Sequence, residues 1–302
     1  MLAELVSSLP ATLADTTENL RRASDTLRDF AASITHVPEV EEAIERAIPI
    51  GASGYDPWGF SPEESKLQYS LAYWIYRYFR PVVHGIENVP AGRCLVIGNH
   101  SGQLPFDGLV VSMATLLEAE PPRLLRPMAE RWFPTLPFVN IAFSRAGVAV
   151  GDPINCRNLL EAENAMLVFP EGTRGSGKTW DHRYKLVRFG RGFMRLALQA
   201  KAPIIPVAVI GAEESIISLY DFKPLARALG MPYFPVPALL PLLGPLAFLP
   251  LPTRFHLYFG EPMVFDGPFD DEDEAIEKKV AVVTERLQSM IDTGLEARES
   301  VF

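Results

Sequence analysis

Short apolar runs alternate with helical patterns through the middle of the chain, and this alternation constrains the fold more than any other feature. Six runs are typical of buried strands: Cys94–Ile97, Leu124–Met128, Val148–Val150, Met166–Phe169, Ile204–Ile210 and Phe255–Phe259. Helical patterns lie between several of them: Leu109–Glu118, Cys156–Glu163 and Gly192–Ala200. Since parallel strands are joined by crossover helices, the alternation favours a mostly parallel sheet that is covered on both faces. The sequence therefore predicts an α/β fold, with a mostly parallel central sheet flanked by helices and an N-terminal helical extension.

Three regions are predicted along the chain. Residues 1–80 form an N-terminal helical region, residues 81–265 form the α/β domain, and residues 266–302 form an acidic helix that packs on this domain. Residues 1 to about 48 are predicted to form two amphipathic helices, and Ser61-Pro62-Glu63-Glu64 is predicted to start a third through a capping box. One apolar face in the first helices has three-and-four spacing: Leu20, Ala23, Leu27 and Phe30.

Two apolar segments are candidates for contact with a lipid bilayer. Leu67–Phe79 is rich in aromatic residues but too short to span a membrane, and the sequence leaves core packing and membrane contact equally open for it. Residues 231–252 form an apolar insert with seven prolines, which pack poorly as a core element. We therefore expect the insert to contact a membrane or an acyl chain, and we expect no conventional transmembrane helix in the chain.

The composition excludes several classes of protein. With 28 Lys and Arg against 37 Asp and Glu, the formal net charge is −9, so general nucleic-acid binding is not expected. The two cysteines, Cys94 and Cys156, belong to no Cys/His cluster, which predicts reduced thiols and no metal site. The N-terminal sequence lacks the basic start and long apolar core of a secretory signal. These features predict a cytoplasmic protein.

The first candidate site follows the strand Cys94–Ile97. His100 stands on a strand-to-helix loop, where an imidazole is well placed to act as a general base. Asp107 lies close enough along the chain to fix the tautomer of that imidazole and to stabilise its charged form. A simpler alternative makes Asp107 the N-cap of the next helix, with Asn99 and His100 as ordinary loop residues.

The second candidate site, Phe169–Arg174, also follows a strand. Gly172 permits a close approach of the backbone to a ligand, and Arg174 suits forked binding of a phosphate. From Arg174 to Lys201 the chain has eight Lys or Arg and one acid, a local charge of +7. Such a run usually marks a solvated face, but beside a glycine turn it also fits an anionic ligand.

Residues 172–179, GTRGSGKT, match the phosphate-binding loop of nucleotide hydrolases at every required position. That loop needs a helix that begins at its Lys-Thr pair, here Lys178-Thr179, and an acidic magnesium partner on another strand. The residues that follow lack a strong apolar helical stripe, and the pattern gives His100 no role. A P-loop nucleotide-binding protein is therefore a minor alternative.

Together these pieces resemble the lysophospholipid acyltransferase family, the superfamily of glycerol-3-phosphate and 1-acylglycerol-3-phosphate acyltransferases. The resemblance covers roughly residues 86–262 and involves four blocks in the right order: Asn99-His100 with Asp107, Phe143-Ser144-Arg145, Phe169–Arg174 and Ala202–Val207. In the family four residues separate the His from the Asp, whereas six separate His100 from Asp107. Because the extra residues include Pro105, the loop must arch back to bring the carboxylate to the imidazole.

The resemblance implies an O-acyltransferase. Its acyl donor would be acyl-CoA or acyl-carrier protein, used as a co-substrate, with no cofactor and no metal. It assigns catalysis to His100 and Asp107, and Arg145 and Arg174 would hold an acceptor phosphate. Backbone N–H groups of the Gly172 turn would face the developing oxyanion. The substrate-binding residues implied are Asn99, Ser101, Arg145, Glu171, Gly172, Thr173 and Arg174.

The acceptor implied first is 1-acylglycerol-3-phosphate, in phospholipid biosynthesis. A neutral acceptor, such as monoacylglycerol, diacylglycerol or another alcohol, stays open, and the unusual His–Asp spacing keeps a non-catalytic membrane-binding protein open as well. Membrane lipids are the expected partners, and the expected location is the cytoplasm, with peripheral association at the cytoplasmic face of a membrane. The other histidines are expected to be structural or surface residues: His36, His84, His182 and His256.

Overall fold

The computed structural model describes residues 35–129, 139–228 and 230–302. These residues form an α/β fold with a seven-stranded sheet at its centre and helices on both faces. The predicted apolar face that comprises Leu20, Ala23, Leu27 and Phe30 lies outside the described residues.

The central sheet is mostly parallel. Its strands are β1 (Val82–His84), β2 (Cys94–Gly98), β3 (Leu125–Ala129), β4 (Ala149–Val150), β5 (Ala165–Val168), β6 (Ile204–Ile210) and β9 (His256–Phe259). A separate pair consists of β7 (Ser218–Asp221) and β8 (Pro235–Pro237). The central order is β1-β9-β6-β2-β5-β3-β4, and the strands from β6 to β4 are parallel. The carboxyl ends of these five strands therefore lie at one edge of the sheet, where ligands gather in folds of this kind.

Helices connect most of these strands and cover both faces of the sheet. They are α1 (Pro38–Ala47), α2 (Pro62–Phe79), α3 (Phe106–Leu117), α4 (Val139–Arg145), α5 (Pro153–Glu161), α6 (Thr173–Ser176), α7 (Gly192–Ala200), α8 (Ala212–Ser215), α9 (Lys223–Ala228), α10 (Leu240–Leu243) and α11 (Asp273–Ala297). As predicted, α2 has Ser61 as its N-cap, with the Ser61 hydroxyl accepting a hydrogen bond from the Glu64 N–H at 3.4 Å.

The sheet buries side chains on both of its faces, because successive residues of a strand point in opposite directions. In β2, Cys94 and Val96 join an apolar layer with α1, α2 and α3, whereas Leu95 and Ile97 join a layer with α5, α7 and α11. Every residue of β2 and of β6 is buried. Burial of one such aliphatic side chain contributes about 1.5–3 kcal/mol to stability. The two strands thus form a rigid centre from which the loops of the candidate site extend.

The predicted fold class is confirmed, and the six predicted strands are present with ends that differ by at most one residue from those expected. The strand β1 was not predicted, because its three residues are only partly buried and form no apolar run. The antiparallel pairing of β9 with β6 was not predicted either. The direction of a strand depends on the path of its connection, which apolar periodicity does not encode.

The apolar insert at residues 231–252 contains short elements in place of a single helix. These are β8, α10 and a 3-10 turn at Gly244–Phe248, and the proline-dense sequence accounts for their shortness. In the part of the chain that the structure describes, no helix combines the length and apolarity needed to cross a bilayer.

Candidate active site

The imidazole of His100 and the carboxylate of Asp107 meet at the carboxyl edge of the sheet. His100 follows the end of β2, and Asp107 is the second residue of α3. His100 Nδ1 lies 2.6 Å from Asp107 Oδ2, and the side chains of His100 and Asp107 are 17% and 0% exposed. Asp107 Oδ2 also accepts a hydrogen bond from the Ser101 N–H at 2.9 Å. The predicted arch of the loop is therefore present, and it joins the two side chains directly.

Asp107 is not the cap of α3. Pro105 occupies the N-cap position, and the other carboxylate oxygen of Asp107 accepts a hydrogen bond from the N–H of Gly108 at 2.7 Å. The simpler alternative for Asp107, a helix cap, is therefore wrong. Its carboxylate is directed at the imidazole of His100 and at the backbone of the same loop.

The electrostatic environment favours a charged imidazolium at His100. Burial lowers the pKa of His100, but the charge of Asp107 and its hydrogen bond outweigh burial, so that the pKa lies above its ordinary value. Glu171 adds to this rise and Lys178 opposes it. Because Asp107 accepts the hydrogen bond from Nδ1–H, the neutral imidazole presents Nε2 as its proton acceptor. This arrangement suits a general base that carries a proton transiently.

The loop between the pair depends on two unusual backbone conformations. Gly102 has a φ of +86°, and a Cβ at this position would lie 2.7 Å from the carbonyl oxygen of Ala212, so only glycine fits. Gln103 has a φ of +65°, and its side chain donates a hydrogen bond to the Lys178 carbonyl at 2.5 Å. The hydroxyl of Tyr233 donates to the Gln103 carbonyl at 2.8 Å. Gln103 is thus held through both its side chain and its carbonyl.

The ring of Phe169 supports the imidazole. The rings of Phe169 and His100 stack with their centroids 4.4 Å apart. A Cβ at Gly98 or at Gly108 would approach the Phe169 ring to 2.9 or 3.2 Å. Sequence reasoning did not find this contact, although the glycines that flank the first block are the signal that could have indicated it.

Asn99 and Glu171, both expected to bind substrate, have their polar atoms engaged by backbone groups. The Asn99 amide donates to the Val209 carbonyl at 2.9 Å and accepts from the Val209 N–H at 2.8 Å, which fastens the end of β2 to β6. Glu171 Oε1 accepts from the His100 N–H and Oε2 from the Val187 N–H, each at 2.9 Å. Both residues position the backbone around His100, while their direct contact with a substrate stays a prediction.

The other residues of the two blocks differ in their exposure. Ser101 is fully buried, and its hydroxyl has no hydrogen-bond partner among the described residues. The Gly172 N–H donates to the Phe169 carbonyl at 3.0 Å, and the expectation that N–H groups of this turn face an oxyanion stays a prediction for its other members. Thr173 begins α6, and Arg174 is exposed, with its guanidinium donating to the Arg188 carbonyl at 3.0 Å.

Arg145 is not brought to the catalytic pair. It ends α4, which precedes β4, whereas His100 follows the carboxyl end of β2. Its guanidinium donates to the Gly59 carbonyl at 3.2 Å, forms an ion pair with Glu64 at 2.9 Å and stacks over the ring of Tyr55. Arg145 therefore fastens α4 to the first turn of α2 and to the segment before it. Its role in acceptor binding stays a prediction that these contacts do not support.

The rest of that second block lines a separate cavity. Phe143 and Ser144 border a space of about 440 Å³, together with Trp58 and Leu159. Neither His100 nor Asp107 lines it. The catalytic pair therefore makes no contribution to the cavity that Phe143 and Ser144 line.

The segment that matches a P-loop does not have the structure of one. The helix α6 ends at Ser176, before Lys178, instead of beginning at Lys178-Thr179. The side chain of Lys178 is 4% exposed and lies between the carboxylates of Glu171 and Glu213, at 3.4 and 3.3 Å. A phosphate would have to displace these buried partners, so this arrangement contradicts the nucleotide-binding alternative.

Comparisons with known proteins found a family model, curated relatives and a solved structure that are similar to this chain. A protein-family model described as Acyltransferase matches residues 80–210. An uncharacterized protein of Mycobacterium tuberculosis is 35% identical over 97% of this chain and 85% of its own length. A mouse protein, the DGAT1/2-independent enzyme synthesizing storage lipids, is 26% identical over 70% of this chain and 59% of its own length. Among solved structures, the 1-acyl-sn-glycerophosphate (LPA) acyltransferase PlsC of Thermotoga maritima matches with a TM-score of 0.49 and 20% identity, over 78% of this chain and 83% of that one.

The matched residues 80–210 contain the catalytic pair and the residues whose contacts with His100 are described above. They include His100, Asp107 and Glu171, and they extend from just before β1 to the end of β6. The geometry and the family match therefore point to the same segment of the chain. Residues 80–210 of this chain therefore form a domain of the acyltransferase family.

Proposed function

We propose that the protein transfers a fatty acyl group from an acyl thioester, acyl-CoA or acyl-carrier protein, to a glycerolipid hydroxyl. The observation that carries this proposal is the buried His100–Asp107 pair at the carboxyl edge of the sheet, with Nδ1 of the imidazole held at 2.6 Å and Nε2 left for substrate. General-base catalysis by a positioned imidazole typically contributes about 10²–10⁴-fold in rate. The intact geometry of the pair also speaks against the non-catalytic alternative.

In the proposed reaction, the acceptor hydroxyl gives its proton to Nε2 of His100 as its oxygen attacks the thioester carbonyl carbon. The tetrahedral intermediate collapses with cleavage of the C–S bond, and the imidazolium returns the proton to the departing thiolate. Asp107 stabilises the imidazolium while it exists, because its carboxylate is fully buried and bonded to Nδ1. The products are the acylated lipid and the free thiol, so no metal or further cofactor enters the balance.

Two classes of acceptor fit this mechanism. The first is 1-acylglycerol-3-phosphate, whose phosphate would be held by Arg174, the exposed cation beside the Glu171 turn. The second is a neutral glyceride. It is supported by Arg145, whose guanidinium is engaged away from His100, and by Lys178, whose charge is matched by two buried carboxylates. The name of the mouse relative, which refers to the synthesis of storage lipids, points the same way. We therefore place the neutral glyceride first among the two.

The experiment that tests this function is an acyl-transfer assay with the full chain. Labelled acyl-CoA and labelled acyl-carrier protein are offered with lysophosphatidate, monoacylglycerol and diacylglycerol in mixed vesicles. The proposal expects an acylated lipid product that depends on His100, with monoacylglycerol or diacylglycerol used better than lysophosphatidate. Exclusive use of lysophosphatidate would restore the phospholipid-biosynthesis assignment, and transfer to none of the three would contradict the proposed function.

The proposal includes peripheral association of the cytoplasmic protein with a membrane that holds these lipids. Four apolar side chains of α2, spaced by four, three and four residues, are each 43–52% exposed and so form one stripe: Leu67, Leu71, Trp74 and Tyr78. The Tyr78 hydroxyl donates to the Pro250 carbonyl at 2.7 Å, which joins the stripe to the apolar insert. In the insert, the side chains of Leu242, Leu246 and Leu249 are 62–80% exposed. This combined apolar surface supports contact with a bilayer.

Co-sedimentation with phospholipid vesicles tests this contact. Replacing Leu71 by Asp places a charge in the middle of the stripe, and we expect at least a tenfold loss of vesicle binding, since a buried charge costs far more than a buried leucine contributes. The matched control is Val282→Asp, which places the same charge at a half-exposed apolar position of α11. Equal binding by the two variants would contradict the proposed membrane surface.

A further inference from the structure

Residues 172–179, the glycine-rich segment that matches the P-loop pattern, include Lys178. The charge of this lysine is buried beside the catalytic loop, which comprises residues 100–107. The Lys178 ammonium has three oxygen neighbours, the side chains of Glu171 at 3.4 Å and Glu213 at 3.3 Å and the carbonyl of Lys185 at 3.2 Å. An ammonium group has three N–H donors, so these oxygens match its capacity. The lysine is thus fully engaged inside the protein.

One partner of Lys178 holds the backbone of the catalytic histidine. Glu171 is 1% exposed, and its carboxylate accepts hydrogen bonds from the N–H groups of His100 and Val187. Both oxygens of the Glu171 carboxylate are therefore used as acceptors, and a buried carboxylate is costly without a counter-charge. Lys178 supplies that counter-charge. The lysine therefore preserves the hydrogen bond that fixes the start of the catalytic loop.

The main chain of Lys178 holds the same loop at a second point. The Gln103 amide donates to the Lys178 carbonyl at 2.5 Å, at the residue where the loop has its left-handed turn. Gln103 belongs to the stretch between His100 and Asp107 that is two residues longer than the family's usual spacing. Both the start and the turn of this longer loop are therefore fastened to one residue.

We propose that Lys178 is a positioning residue for acyl transfer, which acts on His100 through the Glu171 carboxylate and on the turn of the catalytic loop through its own carbonyl. This proposal rests on the proposed function of the site. It gives a role to the one motif that the acyltransferase blocks left unexplained. It also explains how a loop of six intervening residues keeps the imidazole and the carboxylate at hydrogen-bond distance.

The test compares turnover in four variants of the full chain: Lys178→Met, Glu171→Gln, the double variant that combines them, and Lys278→Met as control. Lys278 lies on α11 with its side chain 74% exposed, so the same substitution there removes a charge without touching the site. For Lys178→Met we expect kcat to fall about 10–100-fold, the scale of a displaced catalytic group, with both KM values changed less than about threefold. In the Glu171→Gln background the same substitution is expected to cost less than about threefold, because the carboxylate through which Lys178 acts on the His100 N–H is already absent there.

Two results would overturn the proposal. The first is a kcat for Lys178→Met within about twofold of the wild type. The second is a double variant whose loss of kcat equals the product of the losses in the two single variants. If Lys178→Met does not fold, the kcat of the double variant is compared with that of Glu171→Gln instead. The double variant removes a buried charge together with its counter-charge, so we expect it to fold more readily than Lys178→Met.

A second measurement does not depend on activity and so separates this proposal from the proposed function. With ¹⁵N-labelled histidine, the five histidine amides are observed by NMR, and the His100 amide proton is expected to move upfield in Lys178→Met as its charge-assisted hydrogen bond weakens. It should not move in Lys278→Met. An unchanged His100 amide in Lys178→Met would contradict the positioning role even if the protein transferred no acyl group at all.

Discussion

Two clusters of buried ion pairs lie at opposite edges of the same sheet, and only one of them touches the catalytic loop. At the amino edge, the guanidinium of Arg126 pairs with Asp56 and donates to Asn164 at 3.2 Å. At the carboxyl edge, Lys178 lies between Glu171 and Glu213. The two cations are buried alike, with side chains 1% and 4% exposed. Although the two clusters are electrostatically similar, we expect the Arg126 cluster to contribute to stability and the Lys178 cluster to contribute to turnover.

The structural reason for the difference is the connectivity of the anions. Asp56 accepts hydrogen bonds from the N–H groups of Trp58 and Phe60, so it organises the loop before α2 and nothing at the site. Glu171 accepts from the N–H of His100 instead. A buried ion pair by itself is therefore no sign of function, and the backbone that its carboxylate holds decides what it does.

The largest effect is expected where the carboxylate meets the imidazole itself. Replacing Asp107 by Asn removes the charge that stabilises the imidazolium and permits the wrong tautomer, so kcat should fall about 10²–10⁴-fold. The measurement is kcat on the folded fraction, with the unfolding temperature recorded in parallel. A variant that stays active while its unfolding temperature drops would show that Asp107 only supports the loop.

The comparison between the two edges is tested next by Arg126→Met. Loss of one member of a buried pair leaves Asp56 without its cation, which should lower the free energy of unfolding by about 3–5 kcal/mol. The kcat of the folded fraction should stay within about twofold of the wild type, because no contact of Arg126 reaches the catalytic loop within the described residues. A tenfold loss of kcat, with denaturation curves showing folded protein, would break the distinction between the edges.

The pH dependence follows from the raised pKa of His100. Burial lowers this pKa, and the charge and hydrogen bond of Asp107 more than compensate, so it lies above the ordinary value of about 6.5. A general base must be neutral, so kcat/KM should increase with pH through this raised value and fall about tenfold per pH unit below it. The stability that the charged imidazole contributes has the opposite trend, since it is complete below about 6.5 and is lost as the pH rises through the raised value.

Steady-state rates over a pH series, together with an NMR titration of the His100 ring, check this shift. In the NMR titration the Asp107→Asn variant should titrate at lower pH than the wild type, because both contributions of the carboxylate are gone. An acid limb below pH 6 in the wild type would contradict the assigned environment of His100.

The smallest effects are expected for the two arginines that the family resemblance assigned to the acceptor. Arg145→Ala should change the KM for either acceptor less than about twofold, because its contacts lie in the first turn of α2 and in the segment before it. Arg174→Ala is the sharper probe, because Arg174 lies at the edge of the site. If lysophosphatidate is used, loss of the Arg174 fork should raise its KM about tenfold and leave that of monoacylglycerol unchanged. Kinetics with both acceptors in parallel make the comparison, and a large effect of Arg145→Ala alone would contradict the placement of that residue.

The contrast between the catalytic pair and Arg145 also shows which features of the structure could be predicted from the sequence. The fold, the His100–Asp107 pair and the turn that follows β5 were predictable, because strand periodicity and short-range motifs place them within a few residues of strand ends. The position of Arg145 was not, since a motif in the right order along the chain does not say at which edge of the sheet it lies. The partners of Lys178 were equally hidden, because Glu213 stands 35 positions further along the chain, beyond the end of β6.

The support of the imidazole by Phe169 illustrates the same limit. Its stacking depends on close approach to Gly98 and Gly108, which lie on another strand and at the start of another helix. Glycines in a single sequence signal either a turn or a close approach, and the structure decides between them. Here Gly102 serves a turn, whereas Gly98 serves the approach of an aromatic ring.

The central claim is that the His100–Asp107 pair catalyses acyl transfer to a lipid hydroxyl. The most direct measurement is the turnover of labelled acyl-CoA by the wild type and by His100→Ala, in the presence of vesicles that contain the three acceptor lipids. The wild type should form acylated lipid and free thiol in equal amounts. His100→Ala should fold with a similar circular dichroism spectrum and turn over about 10²–10⁴-fold more slowly. A folded His100→Ala protein with turnover near that of the wild type would contradict the account.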